Sequence, residues 1–405
     1  MSAGLSNNNR NLERDLIILC SQTVILPNQK DTIAEHLRVS LDWGFVKNVG
    51  ARNAVAPLIK SNLLEHFSEL LPDEIREEFK IDFQKHVSRN MFLTGKLIEI
   101  LRLFQASNVP ALPFKGPVLA LEAYKNLALR QWGDLDILVQ PKDFATSVRL
   151  LTSHGYFPTE DVNWSTDGDS YVSSKKDIYF TNKDRSLSLE VHWKLSGTYF
   201  ELPLKMEDVW SRSEIINVAG AEVSTFSFNH LFIYLCFHGS KHCWERLGWV
   251  CDINELIRSR EHVDWESIFS ESSRLGCRNI LDSALRLIDE FYGTKVELPT
   301  FKRSKGNAAV DRVIAETKQR LFAHEPTRMK LGTQYKYHLR LKEESSDKWK
   351  LHAHYMRWFL RRIFRPNERD KELFYLPRLL APLYYLVRPC RLFYSFLIRT
   401  KKEEA

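Results

Sequence analysis

The stretch Gly133-Asp134-Leu135-Asp136-Ile137-Leu138-Val139 decides the fold of this chain. Its aliphatic run predicts a strand, and side chains along a strand alternate between faces, so Asp134 and Asp136 share one face while Leu135 and Ile137 enter a core. Two carboxylates held that close in a partly apolar setting repel each other, and a divalent cation with oxygen ligands is what usually keeps such a pair ionised. A third carboxylate follows in Ser186-Leu187-Ser188-Leu189-Glu190-Val191-His192-Trp193. There Leu187, Leu189, Val191 and Trp193 make a buried face, and Glu190 lies on the polar side with Ser188 and His192. Set beside the first strand in one sheet, Glu190 would complete the carboxylate trio of a two-metal phosphoryl or nucleotidyl transfer site. Between the two strands, Pro141 suits a first helical turn, Phe144, Val148 and Leu151 recur at helical spacing, and Gly155 can end the helix.

Upstream, Leu112-Pro113-Phe114-Lys115-Gly116-Pro117 reads as a strand running into a helix start. Free N–H groups and the positive end of the helix dipole favour an anion there; Gly116 allows close backbone approach and Lys115 adds a positive charge. Arg130, four residues ahead of Asp134, is a second candidate for neutralising phosphate.

At these residues the chain resembles the uncharacterised nucleotidyltransferase family of bacteria, a branch of the DNA polymerase β-like superfamily. The likeness is carried by Phe114-Lys115-Gly116, by Arg130 leading into Gly133–Val139, by Leu189-Glu190-Val191-His192-Trp193, and by His238-Gly239-Ser240-Lys241-His242-Cys243-Trp244-Glu245-Arg246-Leu247. It is strong from about Glu99 to Ile257. One departure is that many polymerase β-like enzymes have Gly-Ser before the helix that cradles the triphosphate, where this chain has Lys115-Gly116. The resemblance implies an α+β protein with a small mixed sheet, flanked by N-terminal and C-terminal helical regions. It implies two Mg²⁺ or Mn²⁺ ions held by Asp134, Asp136 and Glu190. It further implies a nucleoside triphosphate positioned by Lys115, Gly116 and Arg130, and a later helical segment in which Lys241 and Arg246 meet phosphates, Trp244 stacks on a base and His242 bonds the substrate. The acceptor stays open among a small molecule, sugar, peptide, protein and tRNA end. Two other readings stay open: a catalytically idle nucleotide-binding protein, and an Asp-x-Asp glycosyltransferase using a nucleotide sugar.

With 405 residues and 44% hydrophobic content the chain can build two or three packed units, and a net charge of +7 permits an anionic substrate without indicating nucleic acid. The six cysteines form no C-x-x-C pair, which fits reduced thiols and a cytoplasmic location. His238 and His242, four apart with Cys243 and Cys251 near, lack a second ligand pair at finger-like spacing, so zinc is disfavoured. The expected division is a disordered 1–10, a helical domain over 11–107, the nucleotidyltransferase core over 108–228, a cleft-closing helical segment over 229–295 and a basic, aromatic-rich helical region over 296–405. In that last region Arg357, Arg361 and Arg362 interleave with Trp358, Phe359 and Leu360, and the run Phe374–Ile398 is apolar but broken by Pro377, Pro382 and Pro389. It suits packing on the core first, peripheral membrane contact second and nucleic acid last, with no transmembrane segment.

Overall fold

Five helices precede the sheet: α1 (Asn7–Leu19), α2 (Pro27–Leu37), α3 (Trp43–Arg52), α4 (Ala56–His66) and the 34-residue α5 (Asp73–Ala106). They are followed by β1 (Ala111–Pro113), α6 (Gly116–Tyr124), β2 (Leu135–Val139), α7 (Phe144–Ser153), β3 (Tyr156–Pro158), α8 (Gly168–Ser174), β4 (Asp177–Asn182) and β5 (Ser188–His192). Then come α9 (Met206–Ser211), the hairpin β6 (Glu214–Val218) and β7 (Ala221–Thr225), α10 (Phe228–Lys241), α11 (Leu247–Arg258), α12 (Trp265–Arg274), α13 (Arg278–Tyr292), α14 (Ala308–Leu321), α15 (Leu331–Leu341) and α16 (Ser345–Phe364). The computed structural model describes residues 7–160, 168–197, 199–296, 307–323, 329–364, 380 and 383–392.

The α+β architecture is the one expected. The five strands run in the order β1-β2-β5-β4-β3, with β2 and β5 parallel and every other neighbouring pair antiparallel. Strand alternation separates the two faces of this mixed sheet. Leu135, Ile137 and Val139 of β2 join Leu189 and Val191 of β5, and Ile178 and Phe180 of β4, in a core completed by Leu93, Leu97, Ile100 and Phe104 of α5 and by Phe144, Val148 and Leu151 of α7. The opposite face carries Asp136, Glu190 and His192. Leu138 on that face packs instead into a second core built from the N-terminal helices and α10 to α15.

Two compact units divide the chain, Met1–Glu343 and Glu344–Ala405. The division falls later than the expected boundary at 296, because Val310, Val313 and Ile314 of α14 and Tyr337 and Leu341 of α15 are buried in the second core of the first unit. At the other end, helix begins at Asn7, inside the stretch expected to be disordered. Each residue added upstream of the buried Leu16 and Ile17 extends an existing helix at little cost. Residues 1–6 lie outside the described residues, as does most of the apolar run 374–398. In the second unit, α16 buries Leu351 and exposes Trp349, Met356 and Phe359. Among the described residues no helix is long and apolar enough to cross a membrane.

Candidate active site

The register of β2 and β5 brings the carboxylates together. Asp136 is paired with Glu190, and Glu190 in turn stands opposite Tyr179 of β4, while His192 stands opposite Asp177. Adjacent residues in a ladder share a face, so these side chains converge on one wall. Asp136 Oδ1 receives Lys115 Nζ at 2.9 Å and lies 3.1 Å from His192 Nε2, which is 3.3 Å from Glu190 Oε2. His192 is buried, so it serves the carboxylates and does not meet solvent. One ligand atom each from Asp136, Glu190 and His192 lies within 4.8 Å of the others. Among the described residues no such group forms around His238, His242, Cys243 and Cys251.

Asp134 lines the same cavity as Asp136 and Glu190, although the strand begins at Leu135 and Asp134 sits in the bend before it. Burial, then the negative charge of Asp136, push its carboxyl up to about 6. Asp136 moves the other way: burial alone would raise it, but the Lys115 ammonium and His192 hold it well below the usual carboxylate range. Glu190 is likewise lowered, with burial outweighed by His192 and Lys115. Burial would strip the proton from Lys115, but Asp136 opposes this and raises it.

Lys115 is held by local geometry. It precedes α6, where Gly116 at φ +53° turns the chain against the Asp134 carbonyl in a left-handed conformation that favours glycine. Its ammonium lies 5.5 Å from the centre of the Phe114 ring and 5.6 Å from that of Tyr234, at cation–π range.

These groups line a cavity of about 450 Å³, within the range of small-ligand sites. Lys115, Gly116, Arg130, Lys241, His242 and Arg246 all line it. Arg130 does so with its charge already engaged: Nε and Nη2 grip both oxygens of Asp252 at 2.8 and 3.0 Å, and Tyr124 donates to the same carboxylate. Trp244 does not reach the cavity. Its side chain is fully buried, folded back on Gly239 so closely that no Cβ would fit there, and base stacking is therefore closed to it. The indoles on the cavity wall belong to Trp132 and Trp249, the latter with Arg246 5.6 Å over its ring and His242 5.4 Å away. Burial and neighbouring cations push His242 down to about 3, so it stays neutral near pH 7.

Sequence reasoning passed over Lys176, Tyr179, Trp249 and Asp252. Burial, then Lys241, lower Lys176 to about 8, although it is ion-paired with Asp177. Burial and Glu190 raise the Tyr179 phenol. The alternation of Asp177-Ile178-Tyr179-Phe180 is the signal that would have placed Tyr179 on the site face. The far wall is braced from the N-terminal helices: Asn53 Oδ1 accepts from Leu247 N–H at 2.9 Å and its carbonyl from Gly248 N–H at 2.8 Å, occupying the first donors of α11.

A buried acid and imidazole cluster on the small mixed sheet of this α+β protein thus faces a cation-lined cavity. The model of the family described as uncharacterised nucleotidyltransferase matches residues 40–293, the greater part of the chain, and the chain belongs to that family. It is thus a nucleotidyltransferase by family, with a nucleotide as the implied substrate. No curated protein matches the chain in sequence. Among solved structures, the solution structure of the antibiotic-resistance factor ANT(2'')-Ia is similar at 10% identity and a TM-score of 0.32, covering 46% of this chain and 91% of that one.

Proposed function

We propose that the protein moves a nucleoside monophosphate from a nucleoside triphosphate to a hydroxyl or phosphate acceptor, releasing pyrophosphate. The observation that carries this reading is the pairing of Asp136 with Glu190 across two parallel strands, beside His192 and Lys115 on the wall of the cavity. Family membership favours nucleotidyl transfer over transfer from a nucleotide sugar.

Asp136, Glu190 and His192 would hold a divalent cation, Mg²⁺ or Mn²⁺, with Asp134 adjoining. The donors fit such an ion: two carboxylates and an imidazole converge within 4.8 Å of one another. When bound, the ion supplies charge neutralisation at the phosphoryl group and favours ionisation of an acceptor hydroxyl. Glu190 faces the same space and takes up the acceptor proton. Lys176 and Lys241 supply positive charge to the triphosphate. Trp249, backed by Arg246 and His242, offers a flat face to the base. Arg130, committed to Asp252, ties the segment leading into β2 to α11 and holds the two cavity walls in register.

The test is incubation of the purified protein with each α-labelled nucleoside triphosphate, Mg²⁺ or Mn²⁺ and a cell lysate, with the labelled product identified by mass spectrometry. Wild type labels an acceptor and Asp136→Asn does not. Absence of labelling in all arms, together with no nucleotide binding by calorimetry, refutes the reading.

A further inference from the structure

We propose that Lys115 stands in for one of the two divalent cations a three-carboxylate site would otherwise take, so that the native site holds a single ion with the lysine as its second positive charge. This rests on the nucleotidyl-transfer reading and on the metal it requires.

Three observations carry it. The first is position: Lys115 Nζ lies 2.9 Å from Asp136 Oδ1, on the oxygen that also faces His192. The second is confinement. The ammonium is mostly buried and sits at cation–π distance from both Phe114 and Tyr234, while the adjoining Gly116 turn fixes where its backbone leaves β1. A lysine so enclosed loses contacts on three sides by swinging away from Asp136. The third is charge. Asp134, Asp136 and Glu190 bring three negative charges when ionised, and Lys115 contributes one positive. In the nucleotide-free protein a single divalent ion balances these four groups; a second would leave them doubly positive in a partly buried setting, where unbalanced charge is costly. Asp177 is set apart from this count by its own partner, Lys176. The ligand atoms agree with one ion: the converging group is Asp136, Glu190 and His192, and Asp134 is outside it.

The chemical consequence is a fixed ammonium between the carboxylates and the incoming phosphates. It carries charge without exchangeable ligands, so one of the two neutralising cations would not depend on dissolved metal.

The test is Mn²⁺ titration of the full chain by isothermal calorimetry and by loss of the free-ion paramagnetic resonance signal. Wild type is expected to take up one Mn²⁺ per chain. Lys115→Met is expected to take up two, and Lys115→Arg, which keeps the charge, one. Circular dichroism melts establish that each variant is folded; should Lys115→Met fail to fold, Lys115→Gln is titrated in its place. Two ions in wild type, or the same stoichiometry in the charge-removing variant as in wild type, overturns the inference and leaves nucleotidyl transfer standing. No Mn²⁺ uptake by wild type overturns the metal-dependent reading itself, and this inference with it.

Discussion

Asp136 and Glu190 face each other as register partners on the parallel strands β2 and β5, 54 positions apart in the chain, and the ammonium of Lys115 closes on Asp136 from the start of α6. The three side chains come from three separate segments, so the site exists only when β1, β2 and β5 are aligned in one sheet. Shifting β5 by one residue would turn Glu190 into the core and Val191 into the cavity.

Removing the Asp134 carboxylate should stabilise the metal-free protein. Its folded carboxyl is raised to about 6 from an ordinary 3.8, so between those values the native state binds more protons than the unfolded chain. Stability therefore falls as pH rises through that window, and the full penalty, at most about 3 kcal/mol, applies above pH 6. Asp134→Asn removes it: the melting temperature at pH 8 in EDTA should exceed that of wild type while nucleotidyl transfer is lost. An unchanged or lowered melting temperature would show that the carboxylate is not under strain.

Asp136→Asn should cut transfer by about a thousandfold or more, in line with loss of a principal charge-stabilising group. It should also weaken the fold, because Lys115 loses its anionic partner; breaking a buried ion pair costs about 3–5 kcal/mol. Adding Lys115→Met should recover most of that stability and none of the activity. Urea midpoints and labelled-nucleotide assays on the single and double variants separate the two effects.

Trp244 and Trp249 should behave oppositely. Trp244→Ala empties a fully buried volume and should cost about 3–5 kcal/mol. Trp249→Ala, on the cavity wall, should change stability by about 1 kcal/mol or less and raise the KM for nucleotide about tenfold. Denaturant unfolding and steady-state kinetics give the comparison. A Trp249 variant with wild-type KM would remove the stacking role.

Acid should destabilise the protein through His338. Burial holds this histidine down at about 4 from 6.5, and it lies against the Phe200 ring with Nε2 2.9 Å from the Lys241 carbonyl. The unfolded chain binds the extra proton first, so stability is full above pH 6.5 and is lost as pH falls towards 4, by about 3 kcal/mol in total. In His338→Gln the dependence of the urea midpoint on pH across 4 to 6.5 should be shallower than in wild type by about one proton.

Much of this was legible because strand and helix signals are local. The alternation around Asp136 and Glu190 identified both strands and their inward faces, and Phe144, Val148 and Leu151 marked α7 between them. Asp134 lies just outside the strand because pairing starts one residue later, and a boundary of one residue is set by the neighbouring strand and not by propensity. Trp244 was misassigned for a similar reason: a helical segment dense in His, Trp and Arg does not say which indole points inward. That depends on Gly239, which leaves room for the Trp244 ring, and on the left-handed turn at Cys243 and Trp244. The pairing of Arg130 with Asp252 joins residues 122 apart and leaves no periodic trace.

By itself, then, the sequence pointed to the α+β class through its family resemblance, and to the two site strands, their carboxylates and the lysine before α6 through side-chain type and spacing within a few residues. Only the tertiary structure decided that His192 joins Asp136 and Glu190, that Lys115 is already bound to a carboxylate, that Arg130 braces Asp252, and that Trp249 reaches the cavity while Trp244 does not. Those outcomes depend on strand register and on packing between segments far apart in the chain, where the energy of a contact is set by its partner and local pattern carries no record of which partner that is.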